Sequence, residues 1–315
     1  MRRLGLFTML ALIWSLGAAA HAAPSAPVWF DWKGSRDGVN HTYTAEGLTL
    51  TVTTAPGQDQ AGPVPVLTVA APGAAPVTLT GVSGFDDPTA LIGLVRLDPA
   101  SPHPQVLFQT FSFGAHCCTT LRLATFTDGG WRTFALTYDG PPDKAVVKTD
   151  AGTGPPVLAI GDENFDYAFA SHAGSVLVAR FYAVRAGQLH DVSAEPRFAA
   201  AWRATAADML GYCRGDGERN GACAAYVAEA SLGGEHAAAW RQMLTHYDRT
   251  STNWPTGCRI DADEDHCPKA DVITFKSLPP ALAWFLWRQG YAPAAPTFAC
   301  PSKDCPVPRP RTPAP

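Results

Sequence analysis

Cysteine content is the feature that most limits how this chain of 315 residues folds, because eight cysteines are present and two of them are adjacent. The adjacent pair closes the run Phe113-Gly114-Ala115-His116-Cys117-Cys118. The N-terminus carries an export signal, so we expect the thiols to meet oxidising surroundings and to form disulfides rather than thiolate metal sites. The sequence therefore predicts a covalently braced framework outside the cytoplasm.

The N-terminal residues 1–22 have the parts of a signal peptide. Arg2 and Arg3 precede an apolar run, and Ala20-His21-Ala22 satisfies the small-x-small rule for cleavage. The apolar run is shorter than the ~20 residues that span a bilayer, so we expect cleavage rather than a retained anchor. We therefore predict a periplasmic or secreted protein, with no membrane insertion after the signal is removed.

The charge of the chain argues against a nucleic-acid partner. The sequence has 24 basic and 28 acidic side chains, which gives a formal net charge of −4, and no basic stripe is clustered in it. Nucleic acids and anionic membrane surfaces are therefore poor candidate partners. We expect an envelope or extracellular ligand, whose identity the sequence does not give.

Two different patterns divide the mature chain. Between residues 23 and 193, short β-branched and aromatic runs alternate with Gly and Pro turn signals, which predicts many antiparallel strands. Between residues 194 and 298, apolar residues recur at helical spacing, beginning after Pro196. The sequence therefore predicts an α+β fold: an N-terminal antiparallel β domain, propeller-like or sandwich-like, then a small disulfide-stabilised helical domain and a proline-rich tail, 299–315.

The predicted strands are bounded by turn signals such as Asp128-Gly129-Gly130, where glycine supplies the positive φ of a tight hairpin. They cover residues 48–53, 64–69, 77–80, 91–97, 106–111, 119–127, 131–138, 145–148, 157–160, 176–184 and 189–192. Arg185-Ala186-Gly187-Gln188 is predicted as the turn between the last two. In the second half, Pro279-Pro280 predicts the start of a helix that Gly290 ends.

Three cysteine pairs are close enough in sequence to close short loops. Loop closure favours Cys213 with Cys223, Cys258 with Cys267, and Cys300 with Cys305, although spacing alone leaves many other connectivities open. Each such bridge would stabilise its segment by about 2–3 kcal/mol. These pairs are expected to matter most for small helices with thin cores.

Cys117 and Cys118 are left for each other if pairing is local elsewhere. Consecutive Cα atoms lie ~3.8 Å apart, below the ~4.4 Å at which ordinary disulfides begin, so a bond between neighbours needs a distorted peptide. Such a bond could fix a β corner, present a rigid ligand-binding platform or act as a redox switch. His116 is either a hydrogen-bonded structural residue or a base or metal ligand. His116, Cys117 and Cys118 are the first candidate binding residues.

Asp162, Glu163 and Asp166 are the second set of candidate binding residues. Three carboxylates in one short loop can supply the oxygen ligands of a hard cation such as calcium, or they can cap backbone amides in a solvated turn. The acidic run at 261–265 departs from an EF-hand, because His266 stands where that loop requires glycine. No cofactor is predicted, and calcium is the alternative that the carboxylates leave open.

Three segments resemble a family of exported bacterial proteins that carry a Gly-Ala-His-Cys-Cys signature in a β-rich region. The resemblance covers roughly residues 90 to 290. The family is distantly similar to integrin-type (FG-GAP/VCBS) propeller repeats, which implies calcium-supported β blades. This chain departs from that pattern, because Thr149-Asp150-Ala151-Gly152-Thr153-Gly154 keeps one aspartate of the repeat. The segments are Gly114-Ala115-His116-Cys117-Cys118-Thr119, Phe165-Asp166-Tyr167-Ala168-Phe169-Ala170-Ser171 and Gly187-Gln188-Leu189-His190-Asp191-Val192-Ser193.

The motifs of common enzymes are not recognisable in this sequence. It contains no nucleophile elbow, phosphate loop or paired-histidine metal helix. We therefore predict a non-catalytic binding or envelope-associated protein of unknown ligand. The alternative is a periplasmic hydrolase or thiol-redox enzyme centred on His116, Cys117 and Cys118, or on the carboxylates between Asp162 and Asp166.

Overall fold

The structure is a computed structural model, and it describes residues 26–57, 62–83, 86–114, 117–149, 152–260, 262 and 266–292. The predicted signal peptide, His116, the pair Cys300 and Cys305 and the proline-rich tail lie outside these residues. The side chain of Cys117 also lies outside the described part.

The α+β prediction is confirmed: a region of antiparallel sheets precedes a region of helices. The strands are β1 (Val28–Lys33), β2 (His41–Ala45), β3 (Leu48–Ala55), β4 (Val64–Ala70), β5 (Val77–Thr80), β6 (Thr89–Val95), β7 (Gln105–Gly114), β8 (Cys117–Thr127), β9 (Gly130–Tyr138), β10 (Val147–Lys148), β11 (Val157–Gly161), β12 (Ala179–Arg185), β13 (Gln188–Asp191), β14 (Gly257–Cys258) and β15 (Val272–Ile273). The helices are α1 (Gly34–Asp37), α2 (Ala199–Cys213), α3 (Asn220–Leu232), α4 (His236–His246) and α5 (Leu278–Arg288). Below, the described residues from β1 to β13 are the β region, and those from α2 to α5 are the helical region.

Two of the large sheets follow the chain in simple up-and-down order, and the second does so from β6 to β9, with β1 added beside β6. The first sheet has the order β2-β3-β4-β5, the second β1-β6-β7-β8-β9 and the third β10-β11-β12-β13. All neighbouring strands in these sheets are antiparallel. Every predicted run overlaps one of these strands, whereas β1 and β2 are additions to the prediction. A small fourth sheet pairs β14 with β15 inside the helical region.

The tight turns between strands follow from residues that accept a positive φ. Thr127 pairs with Gly130 across Asp128-Gly129, as predicted. Arg185 pairs with Gln188 across Ala186 and Gly187, whose φ angles are 49° and 69°. Two successive positive φ values are the requirement of a type I′ turn, whose twist matches that of the flanking strands. Gly187 also lies so close to Thr127 that a Cβ at this position would stand 2.1 Å from its methyl carbon.

The three large sheets stack face to face, and apolar side chains fill each gap between them. Trp32, Leu50 and Phe108 belong to the cluster between the first and second sheets. Leu121 and Tyr182 belong to the cluster between the second and third sheets. Because side chains alternate across a strand, a central sheet buries residues on both of its faces. The second sheet is therefore the middle layer of the β region.

The third sheet also packs against the first long helix of the helical region. The Phe181 ring on β12 stacks on the Trp202 ring of α2 with centroids 4.3 Å apart. The Phe198 ring meets the Phe181 ring edge-on. The Trp202 indole nitrogen donates a hydrogen bond to the backbone oxygen of Ser193 at 2.7 Å. These contacts attach α2 directly to the sheet rather than through a free linker.

Helix α3 is the centre of the helical region. Its residues from Asn220 to Ala230 are all buried, and its cluster includes Met243 of α4 and Leu282 of α5. A helix that is apolar on every side belongs in the interior of a protein, which explains why no amphipathic stripe marks it in the sequence.

Two of the proposed cysteine pairs are disulfides in the helical region. Cys213 at the end of α2 is bonded to Cys223 in α3, with Cα atoms 4.6 Å apart. Cys258 in β14 is bonded to Cys267, with Cα atoms 5.8 Å apart. Along the described part of the chain, no helix combines the length and the apolar character that crossing a membrane requires.

Candidate functional site

A cavity of about 620 Å³ lies where the turn after β11 meets the helical region. The turn contributes Asn164, Asp166 and Tyr167 to its wall, and α5 contributes Trp284 and Arg288. The segment 253–258 and the residues Ala262 and His266 also line it. This volume lies within the range of roughly 300–1,000 Å³ that is usual for pockets that hold small ligands. The cavity is therefore the candidate binding site of the described structure.

Asp162 holds the turn that forms one side of the cavity. Its Oδ1 accepts hydrogen bonds from the Asn164 backbone nitrogen at 3.1 Å and from the Asn164 side-chain nitrogen at 2.6 Å. Capping of this kind satisfies a free backbone amide, that of the second residue, in the short helical turn 163–165. Because the same carboxylate holds the Asn164 amide group, Asp162 also orients a polar group of the cavity wall.

Tyr167 stands at the rim of the cavity in a left-handed backbone conformation. Its φ is 56°, a value that residues with a Cβ seldom adopt, and its backbone nitrogen donates to Ser175 Oγ at 3.0 Å. The side chain of Asn253, across the cavity, donates to the Tyr167 carbonyl oxygen at 3.5 Å. Strained conformations persist where surrounding contacts impose them, and they are frequent at binding sites. The turn thus presents a tyrosine that is 54% exposed.

Asp166 and His172 form a hydrogen-bonded pair next to this tyrosine. His172 Nδ1 lies 2.9 Å from Asp166 Oδ1 and 3.1 Å from Oδ2. The Tyr167 ring lies over the His172 ring, with centroids 5.6 Å apart. The Asp166 carboxylate thus fixes the His172 imidazole, and the imidazole supports the exposed Tyr167 ring.

A buried ion cluster lies beneath the cavity and joins the two regions. Arg180 on β12 donates from Nε to Asp162 and from Nη1 to Asp191, each at 3.0 Å. Its other terminal nitrogen, Nη2, donates to the backbone oxygen of Gln289, just after α5. The Tyr291 hydroxyl donates to Asp162 Oδ2 at 3.0 Å. Asp162 and Arg180 are both buried, so this cluster fixes α5 against the third sheet.

The charges of this cluster stabilise one another. Burial opposes the charge of the Arg180 guanidinium, but Tyr291, Asp162 and Asp191 outweigh it and raise the pKa of Arg180 above its ordinary value. Burial and the neighbouring Asp162 carboxylate raise the pKa of Tyr291 well above its ordinary value, so its hydroxyl keeps the proton that it donates. The guanidinium also lies 4.3 Å from the centre of the Tyr291 ring, a cation–π contact.

Aromatic side chains form the other wall, on elements fixed by the second disulfide. Gly257 in β14 packs directly on the Trp284 indole, and a Cβ at Gly257 would stand 2.9 Å from that ring. The Trp254 indole nitrogen donates to the backbone oxygen of Phe275 at 3.2 Å. Cys258 follows Gly257 and carries the bridge to Cys267. The short strand, the disulfide and the two tryptophans are therefore one packed unit.

The predicted acidic site is divided by this geometry. Asp162 contacts Arg180 and Tyr291 beneath the cavity, Asp166 contacts His172 in its wall, and Glu163 lies on the other side of the turn. Partial burial together with the nearby Asp139 carboxylate raises the pKa of Glu163. Among the residues that the structure describes, no three histidine, cysteine, aspartate or glutamate side chains lie close enough together to hold a metal ion. Calcium binding by Asp162, Glu163 and Asp166 stays a prediction.

The predicted cysteine site lies at the tip of the hairpin between β7 and β8. Cys118 is in a disulfide, and its backbone nitrogen and oxygen both hydrogen-bond to Ser112 Oγ, at 3.2 and 3.3 Å. The register of the two strands shifts between Phe111 and Gly114, so the ladder is irregular at this tip. A bond between Cys118 and Cys117 stays a prediction, because the Cys117 side chain lies outside the described residues.

The two predicted sites lie near each other in the fold. Thr119, which follows Cys118, donates from Oγ1 to the backbone oxygen of Gly140 at 2.6 Å. Asp139 precedes Gly140, and burial together with the nearby Asp139 carboxylate raises the pKa of Glu163. The hairpin tip and the turn after β11 therefore belong to the same end of the β region, although the cavity forms on the helical side of that turn.

Sequence reasoning missed most of the residues that face Asp166 across the cavity. Asn253, Trp254 and Trp284 lie about 90 or more residues from the turn, and no local motif marks them. One sequence signal points to this loop. Trp254 is followed by the turn residues Pro255 and Gly257 and then by a cysteine, a context that is typical of a fixed surface loop.

Comparisons with known proteins give similarity without an assigned activity. A family model described as the sll0997 C-terminal domain matches residues 197–290. The chain is 36% identical over 215 residues to a probable thylakoid lumen protein, sll0997, of Synechocystis sp., covering 66% of this chain and 62% of that protein. It is 31% identical over 222 residues to the uncharacterized protein y4bJ of Sinorhizobium fredii, covering 68% of this chain and 34% of that protein. No solved structure matches the chain.

The chain thus spans about three fifths and one third of the lengths of these curated relatives. The matched domain, 197–290, contains all of α2 to α5 and the tryptophan wall of the cavity. The turn that carries Asn164, Asp166 and Tyr167 precedes it in the chain. The resemblance to a Gly-Ala-His-Cys-Cys family and to integrin-type propeller repeats stays a prediction.

Proposed function

We propose that this protein is an exported, non-catalytic binding protein that holds a small polar ligand in the cavity between the turn after β11 and the helical region. The observation that carries this proposal is the way in which the wall is fixed before any ligand arrives. Asp162 and Arg180 hold one side from beneath, and the Cys258–Cys267 bridge holds the other. Binding to a fixed wall avoids much of the entropy cost of ordering loops.

Export is supported by the sequence and by one relative. The first 22 residues have the pattern of a signal peptide, and the relative of Synechocystis is described as a probable thylakoid lumen protein. The two disulfides of the helical region suit an oxidising compartment. We therefore infer a periplasmic or secreted location and a ligand that is met in the envelope or outside the cell.

The test is a thermal-shift screen on protein that is expressed with its own N-terminus and purified from the periplasm. The library contains soluble sugars, amino acids, short peptides and nucleotides. A ligand present at about 100 times its Kd stabilises the folded state by about 2.7 kcal/mol, which predicts a rise of a few degrees in Tm. Failure of every compound class to raise Tm, or accumulation of the protein in the cytoplasm, would contradict the proposal.

The variant Asn253→Ala locates the binding. Asn253 is exposed at the surface of the cavity, so the substitution removes an amide without opening the core. We expect the ligand-induced shift in Tm to shrink, while the Tm without ligand stays within about 1 °C, as is usual for surface substitutions. Tyr212→Ala is the control, because Tyr212 is 66% exposed on α2 and is not part of the wall.

A further inference from the structure

We propose that the ligand of this cavity is an uncharged glycan, bound with one sugar ring stacked on Tyr167; this rests on the proposed binding function. Sugar rings have two recognisable surfaces. Their C–H groups form an apolar face that packs on aromatic rings, and their hydroxyls both donate and accept hydrogen bonds at the ring edge. A matching site needs an exposed aromatic face beside planar polar groups.

The exposed aromatic face belongs to Tyr167. Most large apolar side chains of the described structure are buried, and Tyr167 is one of four that are exposed. The others are Val39, Tyr212 and Leu244, and none of these lines the cavity. The left-handed backbone at Tyr167 and the His172 ring against it hold this tyrosine in place. An aromatic side chain that is both strained in its backbone and exposed is expected at a binding surface.

The polar groups that line the cavity with this ring are of the type that binds hydroxyls. Asn164 and Asn253 stand in the wall near Tyr167, and the Asn253 amide reaches the Tyr167 carbonyl across the cavity. A side-chain amide offers two donors and an acceptor in one plane. This combination satisfies neighbouring hydroxyls of a sugar without bringing a net charge into the site.

Two charged groups of the wall, Asp166 and Arg288, contact other groups of the protein, and His266 also lines the cavity. Asp166 is paired with His172 at 2.9 Å. Arg288 is buried, and its Nη2 lies 3.5 Å from the backbone oxygen of Ala262. A strongly charged ligand would have to compete with these contacts, and burying an uncompensated charge is costly. The wall therefore favours an uncharged ligand over a phosphate or an acidic peptide.

The size of the cavity also suits a carbohydrate chain. Its volume of about 620 Å³ leaves room for more than one sugar ring, and Trp254, partly exposed in the segment opposite the turn, offers a second aromatic surface. Two aromatic side chains on opposite walls can each contact a different sugar of an oligosaccharide. The expected ligand is thus an oligosaccharide rather than a single monosaccharide.

The experiment applies the periplasmic protein to a printed array of bacterial and plant glycans, and then measures the affinity for a retained oligosaccharide by calorimetry. Tyr167→Ala should weaken that binding by about tenfold or more, because the stacking ring is lost. Tyr167→Phe should retain it, since the ring face remains, and Tyr212→Ala should bind as the wild type does. Circular dichroism confirms that all three variants are folded.

The other outcomes overturn the inference in distinguishable ways. A protein that binds no glycan of the array but is stabilised by peptides or nucleotides retains the proposed binding function, and the glycan class is then wrong. A synthetic peptide of residues 293–315 that binds at Tyr167 in place of every glycan also contradicts this inference. A protein that binds nothing in either experiment contradicts both the binding function and the ligand class. Glycan binding that Tyr167→Ala leaves unchanged shows that the sugar site lies elsewhere.

Discussion

The β region and the helical region are stabilised by different means. In the β region, long antiparallel ladders satisfy the backbone, and apolar clusters fill the gaps between stacked sheets. The helices α2 to α5 have 11 to 15 residues each, lengths at which isolated helices are marginal. Small residues on α3 and two disulfides hold them together. In the helical region, both of these bridges join elements that are too short to be stable alone.

The ion cluster around Arg180 is the place where the two regions meet, and it combines features of both. Its members come from the third sheet and from the residues that follow α5. It is neither an apolar core nor a covalent bridge, and its charges are buried. Such clusters contribute little net stability compared with apolar packing, but they are costly to leave incomplete.

Replacing Arg180 is expected to have the largest effect, because it breaks the joint between the regions. Arg180→Ala leaves the buried carboxylate of Asp162 and the partly buried one of Asp191 without their cation, which typically costs about 3–5 kcal/mol. Urea unfolding monitored by circular dichroism measures the loss. Arg185→Ala is the control on the same strand, since its side chain is 53% exposed in its bridge to Glu195, and we expect a loss of about 1 kcal/mol or less. Equal losses for the two variants would show that the cluster does not join the regions.

Glu229 provides the second largest expected effect, and it contrasts with Asp162. Both carboxyls are buried, but Glu229 on α3 has an Oε2 atom without a hydrogen-bond partner among the described residues. Burial raises its pKa to about 7, and the Asp208 carboxylate acts in the same direction. The folded protein therefore binds this proton more tightly than the unfolded chain does. Stability from this group is present below the unfolded pKa, near 4.5, and is lost as the pH rises towards 7.

The substitution Glu229→Gln tests this dependence, because glutamine keeps the shape and cannot ionise. The wild type should lose stability between about pH 4.5 and pH 7, by up to roughly 3 kcal/mol, and the variant should lose much less over the same interval. Urea midpoints measured at several pH values give the two curves. Parallel curves for the wild type and the variant would show that Glu229 does not titrate in this window.

The two regions also differ in how far the sequence predicts them. Alternation and turn residues locate nearly all of the β strands, since a strand that buries one face leaves a local pattern. The segment between Cys213 and Cys223, predicted as a loop, contains the start of α3 at Asn220. The sequence does not reveal this start, because a helix that is buried on every side has no polar stripe.

The candidate site was predictable only in part. The turn from Asp162 to Asp166 is visible as a cluster of carboxylates in the sequence. The pairing of Asp162 with Arg180 and Tyr291 depends on residues up to 129 positions away. No local pattern reports such a contact, because tertiary packing rather than sequence spacing brings the groups together.

Removing the first disulfide should affect the helical region more than the β region. Cys213 and Cys223 close a loop with a sequence separation of 10, for which the loss of chain entropy in the unfolded state corresponds to about 2–3 kcal/mol. The double variant Cys213→Ala and Cys223→Ala should lose that amount in urea unfolding. Hydrogen exchange should become faster in α2 and α3 and stay unchanged in β7 and β8. Uniformly faster exchange in both regions would contradict the difference drawn between them.

The substitution Gly221→Ala tests the close packing of α3, and it has the smallest expected effect on stability. A Cβ at Gly221 would stand 2.2 Å from the Gly174 carbonyl oxygen, a backbone atom, so Gly221→Ala should cost about 1–3 kcal/mol through overpacking. Gly211 in α2 is the matched control, since a Cβ there meets nothing within 4 Å. Gly211→Ala should raise stability by about 0.5–1 kcal/mol, because alanine restricts the unfolded chain and favours helix. Changes in Tm of opposite sign for the two variants would show that steric fit, and not helix propensity, requires glycine at position 221. Stabilisation by both substitutions would show that α3 has room to move away from Gly174.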